Sequence, residues 1–157
     1  MAASKLNQHK IVQVVGSLLK QGMSPEKISE SISWGVILGI VPLPGTTTIL
    51  CTIAALALRL NLPAVQLMNW LVYPLQIALI IPFFILGTVL FGTDPLTVDA
   101  REIVTLLQTD LTGSFEMLGT IILHGIIAWL LIAPVLLLAC THLVLILVRR
   151  IPLRSKH

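Results

Sequence analysis

The sequence predicts an all-α integral membrane protein with a re-entrant helical hairpin, two spanning units and amphipathic interfacial helices. Three observations carry this. The 157-residue chain is 56% hydrophobic and only 11% charged. Soluble domains carry about 25% charged residues, so this chain has too little polar surface to cover its apolar side chains. Residues 31–93 hold a single charged residue, Arg59. Near its start this oily stretch is interrupted by "GIVPLPGTTT", residues 39–48, whose two prolines and two glycines are poor material for a continuous helix.

The net charge of +3 gathers at the two ends. Lys5, Lys10, Lys20 and Lys27 precede the oily part, and Arg149, Arg150, Arg154 and Lys156 follow it. A nucleic-acid binder needs basic residues on a folded polar face; none is written here, and no nucleic-acid partner is expected. The basic ends read as cytoplasmic flanks. The opening "MAASKLNQHK" is polar and does not resemble a secretory leader. Cys51 and Cys140 lie in oily segments and match neither a disulfide framework nor a zinc cluster.

Residues 1–24 form the first unit. Within it, Leu6, Val14 and Leu18, with Ile11, Val15 and Leu19, recur at helical spacing over residues 5–22, while Lys10, Gln13 and Lys20 sit elsewhere on the wheel. This stretch is too polar to cross a bilayer and suits the cytoplasmic interface. "GMSPEK" then starts a new helix, with Ser24 as N-cap and Pro25 in the first turn.

Residues 25–92 form the core unit. A first helix is expected over residues 25–41 and a second over about 46–60, where "NLP" stops it. The apolar part of the first, residues 32–41, would be about 15 Å long at 1.5 Å per residue, half of the roughly 30 Å a span needs. The pair is therefore either one kinked span or a hairpin that dips in and returns. Residues 63–91 make the first spanning unit, with kinks expected at Pro74 and Pro82. Residues 93–118 form an acidic outer segment. Asp94, Asp99, Glu102, Asp110 and Glu116 lie between residues 92 and 118 against Arg101 alone. In it "DAREIVTLLQTDL" reads as an amphipathic helix with a capping-box-like start at Asp99 and Glu102. Residues 119–157 form the second spanning helix, with His124 and Pro134 inside it, and a basic tail. One kinked span would put the two basic ends on opposite sides. A hairpin puts both inside, with Arg59, and the acids outside. The positive-inside rule favours the hairpin; the kinked span stands as the alternative.

The candidate site follows from this placement. A helix that starts at mid-depth presents unpaired N–H groups and the positive end of its dipole, which suit an anionic group. Pro42, Pro44 and Gly45 make the turn, and Thr46, Thr47 and Thr48 add hydroxyls. The plainer reading is that Thr46 caps the helix while Thr47 and Thr48 bond back to carbonyls. Gln66, Asn69, Tyr73 and Gln76 lie three, four and three apart, on one helix face. Asn69 and Gln76 are candidates to meet the hairpin tip, Trp70 and Tyr73 either pack there or sit at an interface, and Gln66 reads as hydrogen-bonded glue. Arg59 and Asn61 complete the candidate set, either guiding an anionic headgroup or anchoring at the interface. Ser31, Gly35 and Gly39, and Thr47, Cys51 and Ala55, make two small-residue stripes for close helix approach. No Asp or Glu occurs in residues 31–93 or after residue 118. No catalytic constellation, cofactor motif or metal motif is present. An enzyme is the least favoured class.

Residues 35–87, from "GVILGIVPLPGTTTILC" through "NLPAVQLMNWLVYPLQ", resemble a bacterial membrane family, the domain of unknown function 2062. The resemblance covers roughly residues 10–92. It rests on the small-residue helix, on Pro42, Pro44 and Gly45, on Arg59, Asn61 and Pro63, and on Tyr73-Pro74, where many relatives carry Asn-Pro. It implies a bacterial inner-membrane protein and supplies no activity. A fainter similarity is to the re-entrant hairpins of DedA-like lipid transporters, which usually place an acid just after the turn; this chain has Gly45 and Thr46.

The functional expectation is a small inner-membrane transporter or lipid translocator, for phospholipid or polyprenyl phosphate, using the broken-helix tip to hold an anionic group. Membrane lipids and further copies of the chain are its expected partners, and both termini are cytoplasmic. The alternative is a non-transporting membrane scaffold or lipid-binding accessory.

Overall fold

The computed structural model describes residues 23–92 and 111–150, apart from the side chains of 111–117. The expected N-terminal helix over 5–22, residues 93–110 of the acidic segment and the basic tail after residue 150 lie outside the described residues. All regular structure among the described residues is helical, in five elements. These are α1 (Pro25–Gly39), α2 (Thr47–Ala57), α3 (Leu62–Leu71), α4 (Tyr73–Leu90) and α5 (Leu111–Arg149). Two helices are long and apolar enough to cross a membrane: Tyr73–Leu90 and, within α5, Leu118–Arg149.

α1 is the centre of the bundle. Ser24 caps it, accepting from the Lys27 N–H at 3.3 Å, and Pro25 fills its first turn. Ile28, Ile32, Ile37 and Leu38 are buried, and so are Ser29, Ser31, Ser33, Gly35 and Gly39. A helix buried this far round must have neighbours on several sides. α3 and α5 flank it, and α2 folds back along it.

α1 and α5 are antiparallel. The Glu26 carboxylate meets the Arg149 guanidinium at 2.8 Å. The Ser29 hydroxyl donates to the Thr141 carbonyl at 2.6 Å, and Ile28 and Ile32 share a core with Val148. At the other end of α1, Ile40 and Val41 share a core with Trp129 and Ala133. Residue 133 lies at the middle of the apolar run Leu118–Arg149, so α1 ends level with the midpoint of that run.

α2 returns the chain to the level where α1 began. The Asn61 N–H donates to the Ser31 hydroxyl at 2.9 Å, and its side-chain amide reaches the Met23 sulfur at 3.3 Å. α1 and α2 are thus a helical hairpin with neighbouring ends. α3 then climbs parallel to α1, and the small-residue stripe sets their separation. An added Cβ at Gly35 would lie 2.5 Å from the Val65 carbonyl oxygen, and one at Gly39 would lie 3.2 Å from Asn69 Cα. The second stripe, Thr47, Cys51 and Ala55, is the buried face of α2.

The stretch expected as one unit over residues 63–91 is two helices. α3 closes at Leu71, Val72 is the joint, and α4 starts at Tyr73 with Pro74 in its first turn. The break suits Pro74, which has no N–H to continue the helical ladder from α3 and is well placed in the first turn of a new helix. Pro82, by contrast, stays within α4. α4 continues along α5, antiparallel, with Gly87 seated against the His124 backbone. Phe91 stacks on the His124 ring with centroids 4.2 Å apart. α5 starts at Leu111, so it runs through the boundary placed at residue 118.

Two outcomes test this packing. Gly35→Ala pushes a methyl into backbone that cannot move aside, and overpacking of this kind costs about 1–3 kcal/mol. A Cβ at Gly119 meets nothing within 4 Å, so Gly119→Ala leaves the thermal midpoint in detergent unchanged or slightly raised while Gly35→Ala lowers it. The second outcome concerns pH. Hydrogen bonding to Arg149 holds the Glu26 carboxyl below its ordinary value of 4.5. A depressed carboxylate adds stability above the unfolded value and loses it as pH falls through the folded one. The midpoints of wild type and Glu26→Gln therefore differ slightly at neutral pH and converge in acid.

Candidate functional site

Two breaks in the chain meet at one level. The first is the tip between α1 and α2, residues 40–46; the second is the joint at Val72. Between them lies a cleft of about 330 Å³, lined by Gly45, Thr47, Thr48, Asn69, Trp70 and Tyr73.

The tip is built for an abrupt reversal. Pro42 is fully buried, while Pro44 and Gly45 are exposed. Gly45 has φ of +90°, which side-chain-bearing residues rarely adopt. The Thr46 hydroxyl donates to the Leu43 carbonyl at 2.9 Å and tightens the turn. It does not cap α2, whose first turn receives no side-chain cap. The sequence reading of Thr46 as a cap is thus corrected: Thr46 has helical rather than extended backbone angles, which turns its hydroxyl back along the chain. The opening N–H groups of a helix have no intrahelical partner, and here they start at Thr47, in the cleft wall.

α3 supplies the facing wall. Asn69 is 3% exposed. Its amide N–H group reaches Gln66 Oε1 at 3.3 Å and Thr48 Oγ1 at 3.5 Å, both long for a hydrogen bond. Gln66 ties α3 to α2 through the Thr48 carbonyl at 3.0 Å and the Thr52 hydroxyl at 2.9 Å. Thr52 in turn back-bonds to the Thr48 carbonyl at 2.8 Å. Gln66 is therefore interhelical glue, as its position at the rim suggests. The back-bonding foreseen for Thr47 and Thr48 is made by Thr46 and Thr52.

Trp70 and Tyr73 form the mouth, at 69% and 50% exposed. On α2, the apolar side chains of Ile49 and Ile53 are 63% and 59% exposed. The lining holds no Lys, Arg, His, Asp or Glu. A bound anion would meet only the helix dipole, worth roughly half a charge, and polar contacts. The cleft suits a group with at most one negative charge.

Gln76 lies one turn beyond Tyr73 and is 1% exposed. Its Nε2 donates to the Val41 carbonyl at 2.8 Å, which also accepts the Leu43 N–H at 2.7 Å. Its Oε1 is buried and has no hydrogen-bond partner.

Of the sequence-predicted residues, the structure brings Gly45, Thr47, Thr48, Asn69 and Tyr73 together at the cleft. Pro42, Pro44 and Thr46 shape the turn beside it, and Gln76 lies behind it. Arg59 and Asn61 lie elsewhere, at the base of the hairpin. Asn61 caps α3, its Oδ1 accepting from the Ala64 N–H at 2.9 Å. Arg59 terminates α2 with φ of +53°, in the position usually held by glycine. The Leu60 N–H closes back to the Ala55 carbonyl at 2.8 Å. The equivalent residue after α4 is Gly92, at φ +63°. Trp70, which the sequence places either at the tip or at an interface, lines the cleft with Tyr73. Among the described residues no group of three His, Cys, Asp or Glu side chains is placed to hold a metal.

With this geometry in hand, the chain matches a family described as uncharacterised proteins conserved in bacteria (DUF2062) over residues 10–157. The chain belongs to this family. The match reaches past residue 92 to take in α5, so the hairpin, the broken helix and the long closing helix form one family unit. No curated protein and no solved structure matches the chain.

The left-handed geometry at Arg59 gives a further outcome. Left-handed backbone costs a side-chain-bearing residue about 1 kcal/mol or more. Arg59→Gly therefore holds or raises the thermal midpoint, and Arg59→Ala, which keeps the Cβ, does not raise it.

Proposed function

We propose that this protein is a small inner-membrane translocator in which α1 and α2 form a re-entrant hairpin. The cleft at its tip holds the polar, singly anionic group of a lipid or small solute. The observation that carries this reading is the meeting of two helix breaks, with a largely apolar cleft between them that carries the Thr47, Thr48, Asn69 and Tyr73 polar groups, level with the middle of the longest apolar run. Non-helical backbone at membrane depth occurs only where it is buried in protein or lines a water-filled cavity. Here Pro44, Gly45 and Thr48 are exposed at that level while Thr47 is buried, and the exposed backbone supports a cavity. Broken helices that aim their free ends at a substrate are the recurring device of transporters.

On this reading both termini are cytoplasmic, because the hairpin adds no crossing and α3 with α4 forms one crossing against α5. Asn69 and the start of α2 hold the anionic group, and the Trp70 and Tyr73 mouth admits it. The absence of Asp and Glu from residues 31–93 and from the last helix after residue 118 supports movement down a gradient rather than proton or sodium coupling. On this reading the protein acts without covalent chemistry and without a cofactor. Membrane lipids are its partners, and further copies of the chain enclose the path.

A second reading has its own support. The Gln66, Thr48 and Thr52 bonds would also suit a dry packing joint in a scaffold or lipid-binding accessory. Thiol reactivity separates the two. In a chain with Cys51→Ala and Cys140→Ala, Thr48→Cys at a wet tip reacts with a polar thiol reagent, whereas Ala55→Cys on the buried stripe does not. An unreactive Thr48→Cys favours the scaffold. Flux in reconstituted vesicles tests the transport itself. Wild type accelerates lipid or anion movement, and Asn69→Leu, which removes the amide facing α2, slows it by about tenfold or more, the scale of one charge-assisted hydrogen bond. Vesicles in which wild type moves neither species refute translocation.

A further inference from the structure

Charge gathers at the base of the hairpin, away from the cleft. Glu26, Lys27 and Glu30 lie in α1, Arg59 follows α2, and Arg149 and Arg150 lie at the end of α5; these are all the charged side chains among the described ones. The three helix ends share one level, because Asn61 reaches Met23 and Glu26 meets Arg149. Lys27 pairs with Glu30 at 2.8 Å and Arg149 with Glu26. Arg59 and Arg150 have no ion pair among the described residues, so this end carries uncompensated positive charge.

Arg59 stands out from Arg150 by its backbone. Its φ of +53° is a geometry that Gly92 adopts without a Cβ penalty after α4. A side-chain-bearing residue kept in a strained position points to a use for its side chain, and its exposed guanidinium finds no acceptor among the described residues. α2 leads to it. Ile49, Ile53 and Leu56, four and three residues apart, form an exposed stripe opposite the buried Thr47, Cys51 and Ala55. The stripe runs from the tip of the hairpin towards Arg59. The 11 residues of α2 make it about 16 Å long at 1.5 Å per residue, about half of the roughly 30 Å hydrocarbon core and so the depth of one leaflet.

We propose that Arg59 and the exposed stripe of α2 bind an anionic phospholipid of the leaflet in which α2 lies. The phosphate meets the Arg59 guanidinium, whose planar fork reaches two oxygens at once, and an acyl chain lies along Ile49, Ile53 and Leu56. A zwitterionic lipid brings its own cation and leaves the surplus charge at the base unmet, so the site selects an anionic headgroup. It uses neither Thr47, Thr48 nor Asn69, and its failure leaves the cleft reading standing. It shares with the proposed function only the placement of α2 within one leaflet.

The test compares phosphatidylglycerol with phosphatidylcholine of the same acyl chains, bound to the full-length protein in detergent and read by native mass spectrometry. Wild type is expected to bind phosphatidylglycerol about tenfold more tightly, the scale of one charged hydrogen bond. Arg59→Gly, which relieves the left-handed geometry, is expected to lose most of that preference, and so is Arg59→Gln, which keeps the Cβ. Arg59→Lys, which keeps the charge without the fork, retains part of it, and Arg150→Gln retains it in full. Equal binding of the two lipids by wild type overturns the proposal. A preference that survives in both Arg59→Gly and Arg59→Gln overturns it too, as does one lost in Arg150→Gln alone, which assigns the lipid to the end of α5.

Discussion

The structure depends on settling backbone polar groups where the helices break. An intact helix satisfies its own N–H and C=O groups; a broken one leaves several at each end. In an apolar surround each unmet group costs on the order of 1–3 kcal/mol. This chain breaks twice at one level, and backbone bonds settle part of both sides: Leu43, Thr46 and Ile49 donate their N–H groups to the Val41, Leu43 and Thr46 carbonyls. The carbonyl of Val41 receives Gln76, that of Leu43 receives Thr46, and that of Thr48 receives Gln66 and Thr52. The start of α2 receives no side-chain cap. On the proposed reading, the uncapped first turn of α2 is what makes the tip a place for an acceptor-rich group.

Around that level the packing is ordinary for helices in apolar surroundings. Gly35 and Gly39 let α3 approach α1, and Gly87 lets α4 approach α5. The central helix is held along one side by α3 and on another by α5, while α4 lies against α5 and little else. The joint at Val72 therefore links a unit built on α1 to a unit built on α5. The Gln76 bond to Val41 spans that joint and ties the start of α4 to the end of α1.

Much of this was legible in the sequence, and for physical reasons. Helix lengths too short to span, the P-x-P-G turn and the small-residue stripes all act locally, and each leaves a readable mark. The spacing of Asn69, Tyr73 and Gln76 placed them near the tip, even though the helix breaks between them. Other features resisted. Arg59 and Asn61 read as site residues because they are polar in an oily region. Their positions are set by helix ends: one closes α2 and the other opens α3. The direction of the Thr46 hydroxyl depends on backbone angles that no residue type dictates. The role of Trp70 at the mouth depends on which helix faces which, a long-range fact.

The central claim is that residues 25–60 enter and leave on one face of the membrane. Side-specific labelling tests it most directly. Single cysteines at Ser24, Arg59 and Gly92, in a chain without Cys51 and Cys140, are exposed to an impermeant maleimide in vesicles of known orientation. The account predicts that Ser24→Cys and Arg59→Cys label together from the cytoplasmic side, and Gly92→Cys from the opposite side. Labelling of Arg59→Cys and Ser24→Cys from opposite sides would contradict it and make α1 and α2 a single kinked span.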